Sequence, residues 1–273
     1  MFKPQEPSLA IVIPTCRPFK ALKTIENAVK ICYPGRKEVI VVVNGKGLKR
    51  HAKEIKRLFP QVKVIYIERR NKAAALNAGV KATRCSLVAV LDDDVLIPSE
   101  TLKGAVSMFN PWVGAVAVRT VSVRRGLISI AQRVLDNALF HVFRVFLREA
   151  GLSYLNGAFA VIRRGLAVFN EDVGAEDLEL SLRIQAVGYK IVYAPELVAL
   201  TEPPSKIGGF VKRCLKWGKA VLTVLVAGVK TNGLRGFLLT VKHALRLGLL
   251  TRCSRSRSLL KLNNSNFTQG GLT

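Results

Sequence analysis

The chain has 273 residues, enough for one large α/β domain with its own core, and a hydrophobic content of 49% excludes a mostly disordered protein. Its 43 Lys and Arg against 18 Asp and Glu give a formal charge of +25, which implies an anionic partner, either a membrane surface or a nucleic acid. Five scattered cysteines without a CxxC pair indicate reduced thiols in a cytoplasmic compartment, and three histidines without metal-binding spacing argue against a histidine metal site.

The first part of the chain alternates short apolar runs with helical patterns. Runs of β-branched and apolar residues closed by turn residues predict strands at 9–15, 38–45, 62–68 and 85–94. Helical spacing predicts helices at 20–31, near 49–58 and at 71–83, and Ser99 is expected to cap a further helix over 100–108. This alternation predicts a doubly wound, mostly parallel α/β sheet with flanking helices, in which ligands bind beyond the carboxyl ends of the strands.

The second part is predicted to continue the same domain, which we place at residues 1–205. Apolar residues at every third or fourth position predict a long amphipathic helix from Leu127 to Arg148. A capped helix is expected at 175–188, and strands are expected at 113–123 (as an edge of the sheet), within 153–165 and at 189–196.

Residues 206–250 are expected to form basic amphipathic helices, because apolar clusters alternate there with single cations such as Lys219 and Arg246. Two interpretations stay open: helices lying in the interface of an anionic membrane, or a helix pair packed on the domain with a solvated cationic face. Residues 251–273 are expected to be a disordered basic tail. With neither a signal peptide nor a transmembrane helix predicted, we expect a cytoplasmic protein held peripherally on the inner face of the membrane.

Three adjacent aspartates, Asp92, Asp93 and Asp94, end the strand predicted at 85–94. In an extended segment Asp92 and Asp94 point to the same side, and a carboxylate pair of that kind suits a hard divalent cation. Magnesium usually binds one or two protein carboxylates together with substrate phosphates, so such a site implies a phosphorylated ligand. The alternative is a solvated loop with side-chain-to-backbone turns.

A second acidic cluster, Glu176 and Asp177, opens the helix predicted at 175–188. The helix dipole alone favours acids at this position. The functional alternative makes one of them a general base, which requires a carboxylate within reach of a hydroxyl.

Six motifs then follow one another in a recognisable order: "VIPTCRP", "NKAAALNAG", "LDDDVLIP", "NGAFAVIRR", "AEDLELSLR" and "RCLKW". From about Leu9 to Lys219 the chain resembles a family 2 glycosyltransferase with the GT-A fold, the group that includes cellulose, chitin and hyaluronan synthases. The resemblance implies an inverting, metal-dependent transfer of a sugar from a nucleotide-sugar donor, with a UDP-sugar expected first, to a saccharide or lipid-linked acceptor. It implies Mg²⁺ or Mn²⁺ as the cofactor.

The resemblance also assigns roles to individual residues. Asp177 is the expected base with Glu176 beside it, and Asp92 and Asp94 are the expected metal ligands. The donor is expected to contact Pro14, Thr15, Arg17, Asn44, Lys72, Asn77, Asp92 and Asp93. The acceptor is expected to contact Asn156, Gly157, Arg213, Lys216 and Trp217.

Three departures from the family pattern bear on these roles. Asn71 stands where the family usually has glycine. Asn44 stands where many members have an aspartate that contacts the nucleobase, so the identity of the nucleotide is not predicted. Lys216 replaces the usual arginine and cannot form the two parallel hydrogen bonds of a guanidinium group. The rival functions are a nucleic-acid-binding protein, suggested by the charge, and an inactive glycosyltransferase-like scaffold. With 7% aromatic residues and no nucleic-acid-binding module, nucleic acid is not the expected partner.

Overall fold

A computed structural model describes residues 6–123, 153–173 and 175–202, together with the single positions 130, 134, 208, 209, 211 and 215. Several predictions fall on other residues: most of the helix predicted from Leu127 to Arg148, most of 206–250, and the tail. The acceptor candidates Arg213, Lys216 and Trp217 also lie outside the described residues.

The described ranges contain eight strands and five α-helices. Up to residue 123 these elements follow the predicted order, except that the two-residue strand β5 was not predicted. The strands are β1 Leu9–Thr15, β2 Lys37–Asn44, β3 Lys63–Ile67, β4 Leu87–Leu91, β5 Val95–Leu96, β6 Val113–Ser122, β7 Phe159–Arg163 and β8 Lys190–Thr201. The helices are α1 Pro18–Lys30, α2 Lys49–Leu58, α3 Lys72–Lys81, α4 Ser99–Ser107 and α5 Glu176–Ala186. None of these helices is both long and apolar enough to cross a bilayer.

All eight strands form one mixed sheet in the order β3-β2-β1-β4-β7-β6-β8-β5. Strands β3, β2, β1 and β4 are parallel neighbours, as predicted for a doubly wound sheet. Strand β7 then pairs antiparallel with both β4 and β6, while β6 and β8 run parallel. The prediction that 113–123 forms an edge is wrong, because β7 and β8, both later in the chain, cover its two sides.

The helices cover both faces of the sheet, and β1 shows why. All seven of its residues are buried, and alternate side chains point to opposite layers. Ile11 packs in the layer that contains Ile25 of α1, whereas Val12 packs in the layer that contains Leu76 of α3. A Cβ at Gly79 of α3 would collide with the side chain of Val12, so the glycine allows α3 to lie close against β1.

Helix α4 begins one residue earlier than predicted. Pro98, in an extended conformation with φ −62° and ψ 149°, takes the N-cap position, and no side-chain cap bond forms. The prediction that Ser99 caps this helix is therefore wrong, because Ser99 is already its first residue. The proline ring disfavours a helical conformation of the preceding Ile97, so the helix does not begin earlier.

In the described part of the chain Cys16, Cys32 and Cys85 are free thiols.

Candidate active site

The candidate site lies at the carboxyl ends of the parallel strands, where the sequence predicted it. Thr15 ends β1, Asn44 ends β2, and Asp92 follows β4 directly. Because β1 pairs with both β2 and β4, these three ends are neighbours at one edge of the sheet. The first turns of α3 and α5 bring further charged side chains to the same edge.

The middle aspartate of the triplet is buried and paired. Asp93 is 5% exposed, and its Oδ2 accepts hydrogen bonds from Thr15 Oγ1 at 2.7 Å and from Arg17 Nε at 3.3 Å. The Nη2 atom of Arg17 also contacts Asp93 Oδ1. The carboxylate of Asp93 thus joins the triplet to the end of β1, and its pairing with Arg17 offsets the repulsion among the three adjacent acids.

Lys72 connects the two acidic clusters. Its Nζ lies 2.7 Å from Asp92 Oδ1 and 3.2 Å from Glu176 Oε1, and it donates a hydrogen bond of 3.0 Å to Gly157 O. The side chains of Lys72 and Asp92 are each 32% exposed, so the cluster opens to solvent. Burial raises the pKa of Asp92, with the other two aspartates adding to the rise and Lys72 opposing it.

The carboxylate of Asp177 accepts three hydrogen bonds. Tyr154 Oη donates to its Oδ2 at 2.8 Å, Gly157 N donates to Oδ2 at 3.0 Å, and Leu178 N donates to Oδ1 at 2.9 Å. Burial raises the pKa of Asp177, and the nearby charge of Glu176 raises it further, against Lys72 and the hydrogen bonds. A carboxylate with a raised pKa suits a general base that works near neutral pH.

Gly157 permits this close approach of the backbone to Asp177. A Cβ built on Gly157 would lie 2.5 Å from Asp177 Oδ2, inside any normal contact distance. Its neighbour Asn156 accepts a hydrogen bond of 3.0 Å from Ala158 N and contacts the hydroxyl of Thr120 on β6. Both predicted acceptor residues in the described ranges therefore lie in the loop before β7, which also provides two of the three hydrogen-bond donors to Asp177.

Two predicted donor-binding asparagines hold the protein's own backbone. Asn44 is 5% exposed and donates a hydrogen bond of 3.3 Å to Asn71 O. Asn77 donates to Phe169 O and accepts from Phe169 N, both at 2.8 Å. Pro14 lies within buried β1. The roles of these residues in donor binding stay predictions.

Asn71, which departs from the family pattern, caps α3. Its Oδ1 accepts a hydrogen bond of 2.9 Å from Ala74 N, and its Nδ2 donates to Glu171 O at 2.8 Å. Glu171 in turn pairs with Arg69, at 2.7 Å. The capping role of Asn71 was not predicted from the sequence, although asparagine before a run of helix formers is a known N-cap signal. It also missed Glu171 and Tyr154, for which no local pattern exists.

The residues present fit a divalent cation that would be bound partly by protein carboxylates and partly by phosphate oxygens of a substrate. Asp94 has a 22% exposed side chain with Oδ2 3.3 Å from Arg17 Nη2, and Asp92 follows the same strand end. Two carboxylates are the hard oxygen ligands that Mg²⁺ and Mn²⁺ accept, and phosphate oxygens would complete the set. Within residues 6–123, 153–173 and 175–202, no cluster of three or more His, Cys, Asp or Glu forms a protein-only metal site.

A small cavity of about 10 Å³, room for about one water, lies beside Lys72 and the Glu176–Asp177 pair. Lys72, Glu176 and Asp177 form its polar side. Its apolar side is formed by Leu76, Val90, Leu155, Ala160, Ile162 and Phe169. Lys72, Glu176 and Asp177 therefore lie next to closely packed apolar side chains, which limit their motion.

The chain is similar to curated bacterial polysaccharide synthases. It is 24% identical over 230 residues to the poly-β-1,6-N-acetyl-D-glucosamine synthase of Staphylococcus aureus (strain COL), covering 80% of this chain and 53% of that protein. The synthase of the same name from Staphylococcus epidermidis is 25% identical over 232 residues, covering 79% of this chain and 56% of that protein. The chain thus spans about half the length of the curated relatives it matches.

Solved structures show the same fold. The mannosyltransferase PcManGT from Pyrobaculum calidifontis, in complex with GDP-Man and Mn²⁺, superimposes with a TM-score of 0.64 at 20% identity over 94% of this chain and 81% of that one. S. aureus TarS 1–349 in complex with UDP-GlcNAc gives a TM-score of 0.55 at 18% identity over 74% and 60%. The family described as "Glycosyltransferase like family 2" matches residues 6–220, most of the chain. The chain therefore belongs to the family 2 glycosyltransferases, and its described domain has their GT-A fold.

Proposed function

We propose that this protein is an inverting, metal-dependent glycosyltransferase that moves a sugar from a nucleotide-sugar donor to a hydroxyl of a saccharide or lipid-linked acceptor. The observation that carries the proposal is the position of Lys72, whose Nζ lies between Asp92 of the strand end and Glu176 of the helix start. A donor diphosphate beside Asp92 and an acceptor hydroxyl beside Asp177 would then be adjacent.

The donor side supplies positive charge for the leaving group. Lys72 and Arg17 are the cations next to the aspartate triplet, and both would stabilise the negative charge that develops on the departing diphosphate. Asp94, with Asp92, would hold the Mg²⁺ or Mn²⁺, which when bound neutralises diphosphate charge. The Mn²⁺ complex of PcManGT supports the use of a divalent cation.

The acceptor side supplies the base. Asp177 takes the proton of the acceptor hydroxyl as that oxygen forms a bond to the anomeric carbon. The bond from this carbon to the diphosphate oxygen breaks, and the nucleoside diphosphate leaves with the electron pair. Attack from the face opposite the leaving group inverts the anomeric configuration. Glu176 is paired with Lys72 and holds that cation between the two clusters.

The acceptor and the location of the enzyme are part of the proposal. The match to poly-β-1,6-N-acetyl-D-glucosamine synthases supports a saccharide acceptor. The complex of TarS with UDP-GlcNAc supports a UDP-sugar donor. The formal charge of +25 supports peripheral binding to the anionic inner face of the membrane. Flotation with anionic and neutral liposomes tests the latter, and equal binding to both would contradict it.

A donor screen tests the reaction itself. Wild type and Asp177→Asn are incubated with UDP-, GDP- and dTDP-sugars and Mn²⁺, since the two structural neighbours bind different nucleotides. Loss of the base should lower turnover by about a hundredfold to ten-thousandfold. Asp172→Asn, the same change at an exposed acid, is the matched control and should keep full activity. Turnover that survives Asp177→Asn unchanged would remove Asp177 from the base role.

The rival nucleic-acid-binding function has its own test. Tight, salt-sensitive retention of DNA or RNA in an electrophoretic shift assay, without any donor turnover, would favour that function instead.

A further inference from the structure

Tyr154 stands next to the proposed base and has no part in the family's motifs quoted above. It lies three residues before Gly157, in the loop that leads into β7, and its phenol donates a hydrogen bond of 2.8 Å to Asp177 Oδ2. Burial and the adjacent carboxylate raise the pKa of Tyr154 well above 10. The phenol therefore keeps its proton at every pH at which the enzyme works, and it remains a donor.

The hydrogen bonds to Asp177 are unevenly divided between its two oxygens. A carboxylate has about four lone-pair sites, two on each oxygen. In the described part of the chain, Tyr154 and Gly157 N occupy both sites of Oδ2, whereas Leu178 N occupies one site of Oδ1. Among the described residues, these donors leave one acceptor position of the carboxylate, on Oδ1.

We propose that Tyr154 is a positioning residue, which fixes the carboxylate of Asp177 so that Oδ1 receives the proton of the acceptor hydroxyl. This inference rests on the proposed base role of Asp177. The hydroxyl of Tyr154 and the backbone N–H of Gly157 both donate to Oδ2, so rotation of the carboxylate would break both hydrogen bonds.

The same hydrogen bond tunes the basicity of Asp177. The charged side chains that face it from the described elements are Lys72 of α3 and Glu176 of its own helix. Burial and Glu176 raise the pKa of Asp177, while Lys72 and the Tyr154 phenol lower it. Removing only the hydroxyl of Tyr154 should therefore raise that pKa further, since a donor to the charged form is lost.

Tyr154→Phe tests the inference by the pH dependence of kcat/KM. We expect the acid limb of the profile to move to higher pH and kcat at pH 7 to fall about tenfold, as for loss of one hydrogen bond to a charged group. Donor affinity, measured by calorimetry, should not change. Tyr33→Phe is the matched control, because Tyr33 Oη also donates to an acceptor, Pro7 O, but near the start of β1, away from the site.

A second variant covers the case in which Tyr154→Phe does not fold. Site-specific 3-fluorotyrosine at position 154 keeps the ring and the hydroxyl but makes the phenol a stronger donor, so the acid limb should move to lower pH. Acid limbs that coincide with wild type in every folded variant, with kcat within about twofold, would overturn the inference. If Asp177→Asn itself keeps full turnover, the proposed function fails instead, so the two failures are distinguishable.

Discussion

Asn77 and Phe169 are joined by two hydrogen bonds of 2.8 Å, one in each direction, between a side-chain amide and a backbone amide. The same Asn77 amide donates to Glu171 Oε1 at 3.0 Å. This contact ties α3, which carries Lys72 at its start, to the segment that leads to Asp177. A pairing between residues 92 apart in sequence thus helps to position Lys72 relative to the segment that leads to Asp177.

Asn77→Ala should destabilise the fold while sparing donor affinity. The substitution leaves the backbone groups of Phe169 without their partners, which costs about 1–3 kcal/mol in the free energy of unfolding. Urea unfolding measures this loss, and Lys81→Ala, at an exposed position of the same helix, should change stability by less than about 0.5 kcal/mol. If Asn77 instead binds the donor, as the family pattern predicts, its loss would weaken donor affinity in calorimetry more than it weakens the fold.

Gly157→Ala should lower kcat by about a hundredfold with little loss of donor binding. The new Cβ would meet Asp177 Oδ2, so the carboxylate must move away from the position that Gly157 N and Tyr154 define. Misplacement of a base by about 1 Å costs roughly a hundredfold in rate. Gly165→Ala is the matched control, since a Cβ there meets nothing within 4 Å. Equal kcat values for the two variants would contradict the close approach of Gly157 to the carboxylate of Asp177.

The first half of the fold could be predicted because its signals are local. Strand β1 was predicted at 9–15 and is found at Leu9–Thr15, and α2 was predicted near 49–58 and is found at Lys49–Leu58. In both segments the spacing of the apolar residues, together with flanking turn residues, is enough to specify the strand or helix. The insertion of β7 between β4 and β6 depends instead on long-range pairings such as Leu91 with Phe159. The spacing of residues within one segment does not predict such pairings.

The candidate site shows the same division. The residues of the aspartate triplet are adjacent in sequence, as are Glu176 and Asp177, so the sequence alone was enough to identify both groups. Their partners are distant: Arg17 reaches Asp93 across 76 residues, and Tyr154 reaches Asp177 across 23. Only folding brings such pairs together, so the sequence identified the acids but not the groups that orient them.

Asp94→Asn should abolish metal-dependent donor binding. The change removes one negative charge and one hard oxygen from the edge of the sheet, at a side chain that is partly exposed and close to Arg17. Calorimetric titration of UDP in the presence and absence of Mn²⁺ measures the effect. Asp172→Asn should bind as wild type does, because Asp172 is an exposed acid in the segment between β7 and α5. A Mn²⁺-dependent affinity that is the same in Asp94→Asn and wild type would remove Asp94 from the metal site.

The raised pKa of Asp177 should make activity and stability depend on pH in opposite directions. The base must be ionised, so kcat/KM should fall as pH drops through a pKa above about 4, the ordinary value for an aspartate. Burial favours the neutral acid in the folded state, so the stability that Asp177 contributes is present below its unfolded pKa and is lost as pH rises through its folded pKa.

Asp177→Asn isolates this stability effect, because asparagine stays neutral at every pH. We expect the unfolding free energy of the variant, relative to wild type, to be higher at about pH 8 than at about pH 4, since only wild type must then bury a charge. Urea unfolding at the two pH values measures the difference. A relative stability that instead falls with pH would mean that the hydrogen bonds from Tyr154, Gly157 and Leu178 outweigh burial and hold the pKa of Asp177 below its ordinary value.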